Sequence, residues 1–330
     1  MRHAAPMLAG VLLLAGAVAA QAPVERRAPQ HAQTQHPEAP ESNEDTPVTT
    51  LRVESRLVNV AVNVVDETGA PVPGLKREDF EVAENEVPQR IAFFERESTT
   101  PLSIVMAIDA SESVLRNERL ERDAARHFVR TLLRSQDELD LMDFADTVRE
   151  VVPFTNQTQR IEQGLGELQH GDATALYDAI YLASQRLAAT RVDDGRRRVL
   201  MLITDGNDTA KHTVYSEALE QAQRAGAMVY SLIVVPVWAD AGRNTGGEHA
   251  LIQMANDTGG KYYFVQDPKD LEPAFAQVSD DLRTQYVVGY YAPQQVRQDA
   301  LRSIQIRLKD PALAARYKLR YRTGYYAQTQ

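Results

Sequence analysis

The sequence of 330 residues contains no cysteine. That excludes disulfides and thiolate metal ligands, so stability has to come from a packed core. Tryptophan occurs once, at Trp238, in a loop after Pro236, and reads as a loop anchor or a contact residue. Basic stretches are scarce: 36 Lys and Arg stand against 46 Asp and Glu, a net charge of −10. The short cluster Arg196-Arg197-Arg198 leads into an apolar run and reads as a solvated strand entry. Without a basic stripe, nucleic acids and anionic membrane surfaces are poor partners. Several catalytic signatures are missing as well. No Gly-x-Gly-x-x-Gly follows the first buried strand, and neither a Gly-x-Ser-x-Gly elbow nor a His-Glu-x-x-His pair occurs. The seven histidines show no ligand spacing, and His127, beside Phe128, reads as helix surface.

Long apolar runs are also lacking. The longest candidate, Met7 to Ala20, follows Arg2 and His3 and ends in small residues around Ala19 to Ala22. It holds too few strongly apolar residues to cross about 30 Å of hydrocarbon. A basic start, a short apolar stretch and a small-residue end read as a signal peptide over 1–20. Cleavage predicts a secreted or periplasmic protein with no membrane span in the mature chain. Residues 21–50 are rich in Pro, Gln, Glu, Thr, His and Ala. They cannot bury enough surface to offset their ordering entropy and are expected to form a disordered linker.

Two hydrophobic periods divide the remainder. Val58, Val60, Val62 and Val64 alternate with Asn59, Ala61 and Asn63, and Ile304, Ile306 and Leu308 alternate with polar residues in the same way. Period two predicts half-buried strands. Neither flank has strands enough to stand alone. The expectation is a small β-sandwich assembled from 51–98 and 292–326, with an α/β domain over 99–291 inserted into it. Within the insert, apolar runs at 102–108, 199–203 and 228–235 alternate with helical repeats such as Leu120, Ala124, Phe128 and Leu132. That alternation predicts a doubly wound, mostly parallel sheet with helices on both faces.

The chemistry gathers after those buried runs. Asp109-Ala110-Ser111-Glu112-Ser113 follows the first, Asp205-Gly206 follows Val199–Ile203, and Thr174 opens a helical stretch after Gly171-Asp172-Ala173. Loops at the carboxyl ends of strands in an open α/β sheet converge on one crevice. Asp109, Ser111, Ser113, Thr174 and Asp205 together offer an all-oxygen shell suited to a small hard cation, Mg²⁺ or Mn²⁺. Neutral hydroxyls leave the ion under-neutralised, so a carboxylate from outside is its natural last ligand. Taken singly, Ser113 or Thr174 reads as a helix cap. Asp178 reads as a solvated or capping acid, and Asp208 as turn chemistry.

The set resembles the metal-ion-dependent adhesion site of von Willebrand factor type A domains. Asp109, Ser111 and Ser113 match that family's Asp-x-Ser-x-Ser loop. Thr174, in Gly-Asp-Ala-Thr-Ala-Leu, looks like its second-loop threonine. Asp205, in Leu-Ile-Thr-Asp-Gly, is similar to its third-loop aspartate. The likeness runs from about Leu102 to Leu282. It implies a Rossmann-like domain whose hydroxyls hold the ion directly and whose aspartates hold it largely through water. It also implies a non-enzymatic role, the capture of a carboxylate on a protein or matrix partner. One departure is Glu112, where the family usually has Gly; its carboxylate either faces solvent or sits at the rim, repelling or imitating an acidic ligand. The competing class is a metal-dependent phosphatase or hydrolase using the same pocket. An aspartyl nucleophile at Asp109 wants a second Asp two residues on, and position 111 is Ser.

Overall fold

The computed structural model describes residues 57–96, 99–111, 118–190, 196–235, 245–292 and 300–327. The expected signal peptide and linker, together with Glu112, Ser113 and Trp238, lie outside the described residues. Four strands come first: β1 (Leu57–Val65), β2 (Phe80–Glu84), β3 (Val87–Gln89) and β4 (Ile91–Glu95). The α/β segment follows with β5 (Leu102–Asp109), α1 (Glu118–Leu132), β6 (Glu138–Phe144), β7 (Val148–Thr155), α2 (Thr158–Gly164) and α3 (Leu176–Ala189). It continues through β8 (Arg197–Thr204), α4 (Tyr215–Ala225), β9 (Ala227–Val234), α5 (Thr245–Thr258), β10 (Lys261–Val265) and α6 (Leu271–Arg283). The last elements are β11 (Tyr286–Tyr291), β12 (Leu301–Leu308), α7 (Pro311–Arg316), β13 (Lys318–Arg320) and β14 (Gly324–Tyr326).

The central sheet has the order β10-β9-β8-β5-β6-β7, parallel except for the β6–β7 hairpin. Every residue of β5 is buried, because a parallel strand covered on both faces has no solvent side. Its Ile104, Met106 and Ile108 pack with Phe128 of α1 and Phe275 of α6, whose rings stack at 4.6 Å. Val105 and Ala107 point the other way, onto Leu176, Ile180 and Ala183 of α3 and Ala218 and Ala222 of α4. From β5 the chain moves out to β6 and β7 on one side, then returns to place β8 on the other. The strand order therefore reverses between β5 and β8, the point where open α/β sheets bind ligands.

The flanking strands form two four-stranded sheets, β13-β1-β11-β4 and β14-β12-β2-β3. Val58, Val60, Val62 and Val64 meet Phe80, Val82, Ile304, Ile306 and Leu308 in the core between them. The α/β domain had been expected to run to Tyr291, and the structure corrects that boundary. β11 pairs antiparallel with β1, Leu57 opposite Tyr291, and also with β4. Its Tyr286, Val288 and Tyr290 alternate into the sandwich core, so the α/β part ends with α6. The C-terminal flank was expected to hold strands alone. It also contains α7, which starts on Pro311 and is capped by Asp310, whose carboxylate accepts the Ala312 amide at 2.8 Å.

The basic cluster at 196–198 is not a solvated strand entry. Arg197 is buried and donates to the Gln285 side chain and, at 2.8 Å, to the Leu282 carbonyl. Arg198 donates to the carbonyls of Ala225, at 2.9 Å, and Thr190, at 3.1 Å, satisfying groups left open at the ends of α4 and α3. Gln285 in turn reaches the Tyr230 hydroxyl at 3.2 Å, which also accepts from Asn63 of β1. Arg320 of β13 pairs with Asp281 of α6 at 2.7 Å. Gly259, at φ +79°, lets the backbone of Tyr321 and Arg322 approach where a Cβ would stand. A Gly259→Ala change should cost about 1–3 kcal/mol through strain and displacement of that segment. Denaturant melts check this, and an unchanged midpoint would contradict it.

Asp140 of β6 is fully buried, and neither carboxylate oxygen meets a donor among the described residues. Burial pushes its carboxyl up to about 8, Glu150 of β7 pushes the same way, and Arg186 of α3 opposes both. Arg186 is itself paired with Glu150 at 2.6 Å. Asp140 thus carries a proton in the fold at neutral pH but ionises near 3.9 when unfolded. Its contribution is fully present below about pH 4 and is lost as the pH climbs toward 8. Thermal melts at pH 5 and pH 8 should show a smaller drop for Asp140→Asn than for the wild type. Equal drops would remove Asp140 as the cause.

Candidate metal centre

Three loops at the carboxyl ends of the parallel strands are laced together by hydrogen bonds. The first follows β5. Asp109 is 2% exposed, and its Oδ1 accepts the Ser111 amide at 2.9 Å, which turns the chain sharply. The second loop precedes α3. It lies beside the first, with the Gly171 amide donating to the Ala110 carbonyl at 3.3 Å and Ser111 bridging Gly171 in parallel. The third follows β8. The Thr204 hydroxyl donates to Asp109 Oδ2 at 2.7 Å, joining it to the first. The second and third loops clasp each other at Thr174, whose amide donates to the Thr209 hydroxyl at 2.8 Å. The Thr174 carbonyl accepts from the amides of Thr209, at 2.9 Å, and Ala210, at 3.2 Å. Asp109, Ser111, Thr174 and the Asp205 turn therefore share one locus; Ser113 lies outside the described residues.

Three supports escaped the sequence reading, and a fourth was read only as a turn residue. Asp146, in the β6–β7 turn, accepts the amides of Asp172 and Ala173 at 3.1 Å each, just before Thr174. Its carboxylate occupies the space where a side chain at Gly171 would stand, so any larger residue there would displace it. Asp208 is not turn chemistry alone. Its Oδ1 accepts the Tyr177 amide at 3.2 Å, capping α3 from another loop, since Ala175 has no side chain able to do so. Thr204 and Thr209 complete the set. No local pattern marks these four, because each acts across more than 25 residues of chain. Asp178 accepts from His212 at 3.0 Å and from the Thr213 hydroxyl. His127 faces Glu272 at 3.5 Å on the exposed side of α1.

Electrostatics at the locus are unbalanced. Burial pushes the Asp109 carboxyl up to about 6, against hydrogen bonds from Ser111 and Thr204, and the nearby Asp205 charge adds to the rise. β5 and β8 are adjacent, about 4.8 Å apart, so their terminal carboxylates are held close. Among the described residues no Lys, Arg or His pairs with either one. Two carboxylates flanked by hydroxyls, with no cationic partner, fit a hard divalent cation, which would supply the missing charge. No group of three or more His, Asp or Glu side chains converges on a metal among the described residues, so hydroxyls are needed to complete a shell.

The von Willebrand factor type A domain profile matches residues 103–277, and the chain belongs to that family. Membership supports a role in protein interaction. No curated protein matches the chain. Among solved structures, BatB from Bacteroides thetaiotaomicron is 19% identical, with 56% of this chain and 100% of that one covered at a TM-score of 0.44. The pilus adhesin SpaC from Lactobacillus rhamnosus GG is 11% identical, covering 79% of this chain and 48% of that one, at 0.46. Proximal thread matrix protein 1 from the mussel byssus, with a zinc-occupied MIDAS motif, is 16% identical, with 57% and 49% covered, at 0.46.

The lacing predicts a coupling between Asp208 and the locus. Asp208→Ala frees the Tyr177 amide and should lower stability by about 1 kcal/mol. It should also weaken divalent-cation binding severalfold by loosening Thr174. Calorimetric titration with Mg²⁺ checks the second effect, and unchanged affinity would separate the cap from the site.

Proposed function

We propose that this protein uses its von Willebrand factor type A domain as a divalent-cation adhesion site that captures a carboxylate on a protein or matrix partner. Asp109, Ser111, Ser113, Thr174 and Asp205 would hold Mg²⁺ or Mn²⁺. The observation that carries this reading is the buried Asp109 carboxylate beside the half-buried Asp205, with no cationic partner for either among the described residues, at the point where the strand order reverses. The ion would supply positive charge and an open coordination position. The chain's own part is to fix the oxygens: Thr204 and the Ser111 amide orient Asp109, Asp146 shapes the loop before Thr174, and Thr209 locks Thr174. Holding these groups rigid spares an incoming ligand the entropy of ordering them. The basic start and apolar run at the N-terminus support export, to the periplasm or beyond. A net charge of −10 speaks against nucleic acid.

Metal binding should register as stability. A ligand that binds only the native state adds RT ln(1 + [L]/Kd), about 2.7 kcal/mol at a hundredfold excess over Kd. Mg²⁺ or Mn²⁺ should raise the melting temperature, and Asp109→Ala or Ser113→Ala should abolish the rise. An equal rise in both variants would remove these residues from the site. A phosphatase assay with Mg²⁺ addresses the competing class: turnover abolished by Asp109→Asn would overturn the adhesion reading.

A further inference from the structure

Two cavities open beside the candidate metal centre and share Tyr181 and Thr213, forming one groove along α3. The nearer has a volume of about 330 Å³ and is lined by Asp146, Val148, Asp178, Leu182 and His212 as well. The farther, about 410 Å³, adds Glu217, Glu220 and Arg224. The nearer cavity shares its walls with the metal loops. Asp146 shapes the turn before Thr174, and Asp178 stands one helical turn beyond it on α3.

Its chemistry is one-sided. Asp146 and Asp178 are acceptors, and their bonds from the loop amides, His212 and Thr213 leave lone pairs unused. The exposed His212 ring meets Asp178 through Nδ1 at 3.0 Å. The guanidinium farther along is held by Glu220, with Arg224 Nε donating at 2.8 Å. Leu182, 40% exposed, joins Val148 and the Tyr181 ring as an apolar wall. An apolar wall leading to a cluster of acceptors suits a long side chain with a hydrocarbon stem and a cationic head.

We propose that this groove is a subsite for an Arg or Lys side chain of the same partner that gives its carboxylate to the cation. The proposal rests on the adhesion reading of the metal centre and narrows the partner: the acidic residue it presents has a basic neighbour. The metal supplies attraction for any carboxylate, and the groove selects among carboxylates by what stands beside them.

The test uses the full chain with Mg²⁺ and two series of synthetic peptides. Each carries one Asp and, one to five positions on, either Arg or its uncharged counterpart citrulline. The expected result is about tenfold tighter binding of the Arg peptide at one spacing or more, as charge-assisted hydrogen bonds in a partly buried groove allow. Asp146→Asn with Asp178→Asn should erase that preference. Because Asp146 also supports a loop, Leu182→Lys provides a second variant: it sets a cation on an exposed wall and should erase the preference with the fold intact. Chelation should weaken both series. Equal affinity of the two series at every spacing overturns the subsite, as does failure of every peptide to bind. An Arg preference untouched by chelation would support the groove and overturn the metal reading instead.

Discussion

Two aspartates at the ends of neighbouring parallel strands set the terms for the rest of the site. Asp109 closes β5 and Asp205 follows β8, and the register pairs these strands along their length. Burial pushes the Asp109 carboxyl up to about 6, and the like charge of Asp205 adds a smaller push in the same direction. Left alone, such a pair takes up a proton or comes apart. Instead the chain fixes it from outside with hydrogen bonds to Asp109 from Thr204 and the Ser111 amide. What remains is a deficit of positive charge in a preformed nest of oxygens.

The scaffold explains why that nest faces outward. The sandwich meets the α/β part where the parallel strands begin, through Arg197 at the start of β8, through Gly259 against Tyr321 and Arg322, and through the Gly260 carbonyl, which accepts from Arg320 at 3.3 Å. The candidate site lies at the other end of strands about 25 Å long. The ends that the sandwich covers are therefore not the ends that carry the aspartates. Polar groups pair across the junction, as Arg320 does with Asp281, which ties the two parts together at fixed points.

Much of this was legible in the sequence, and the reasons differ by element. β5 and β8 announced themselves as unbroken apolar runs because both of their faces are buried, and Asp109 and Asp205 were conspicuous as the first acids after them. The strands of β1 and β12 were legible through strict alternation. β11 was not: Tyr286-Val287-Val288-Gly289 reads as a continuous run, and only its antiparallel partners β1 and β4 reveal that it belongs to the sandwich. α7 is six residues long, too short for a helical period to stand out. Asp146, Thr204, Asp208 and Thr209 were illegible for a deeper reason. Their work is to hold amides and carboxylates contributed by distant loops, and no local spacing encodes a partner in another loop. Arg197 and Arg198 were misread for the same reason, since they donate to groups on α6, α4 and α3.

The central claim is that Asp109 and Asp205 share a divalent cation with the hydroxyls around them. The most direct measurement is a crystal structure grown with Mn²⁺, with anomalous diffraction recorded at a wavelength where manganese scatters strongly. The account predicts one strong anomalous peak enclosed by Asp109, Ser111, Ser113, Thr174 and Asp205, at oxygen distances near 2.1–2.2 Å for the direct ligands, close to those of Mg²⁺. Full Mn²⁺ saturation with no peak between the two aspartates, or with a peak held elsewhere, would contradict it.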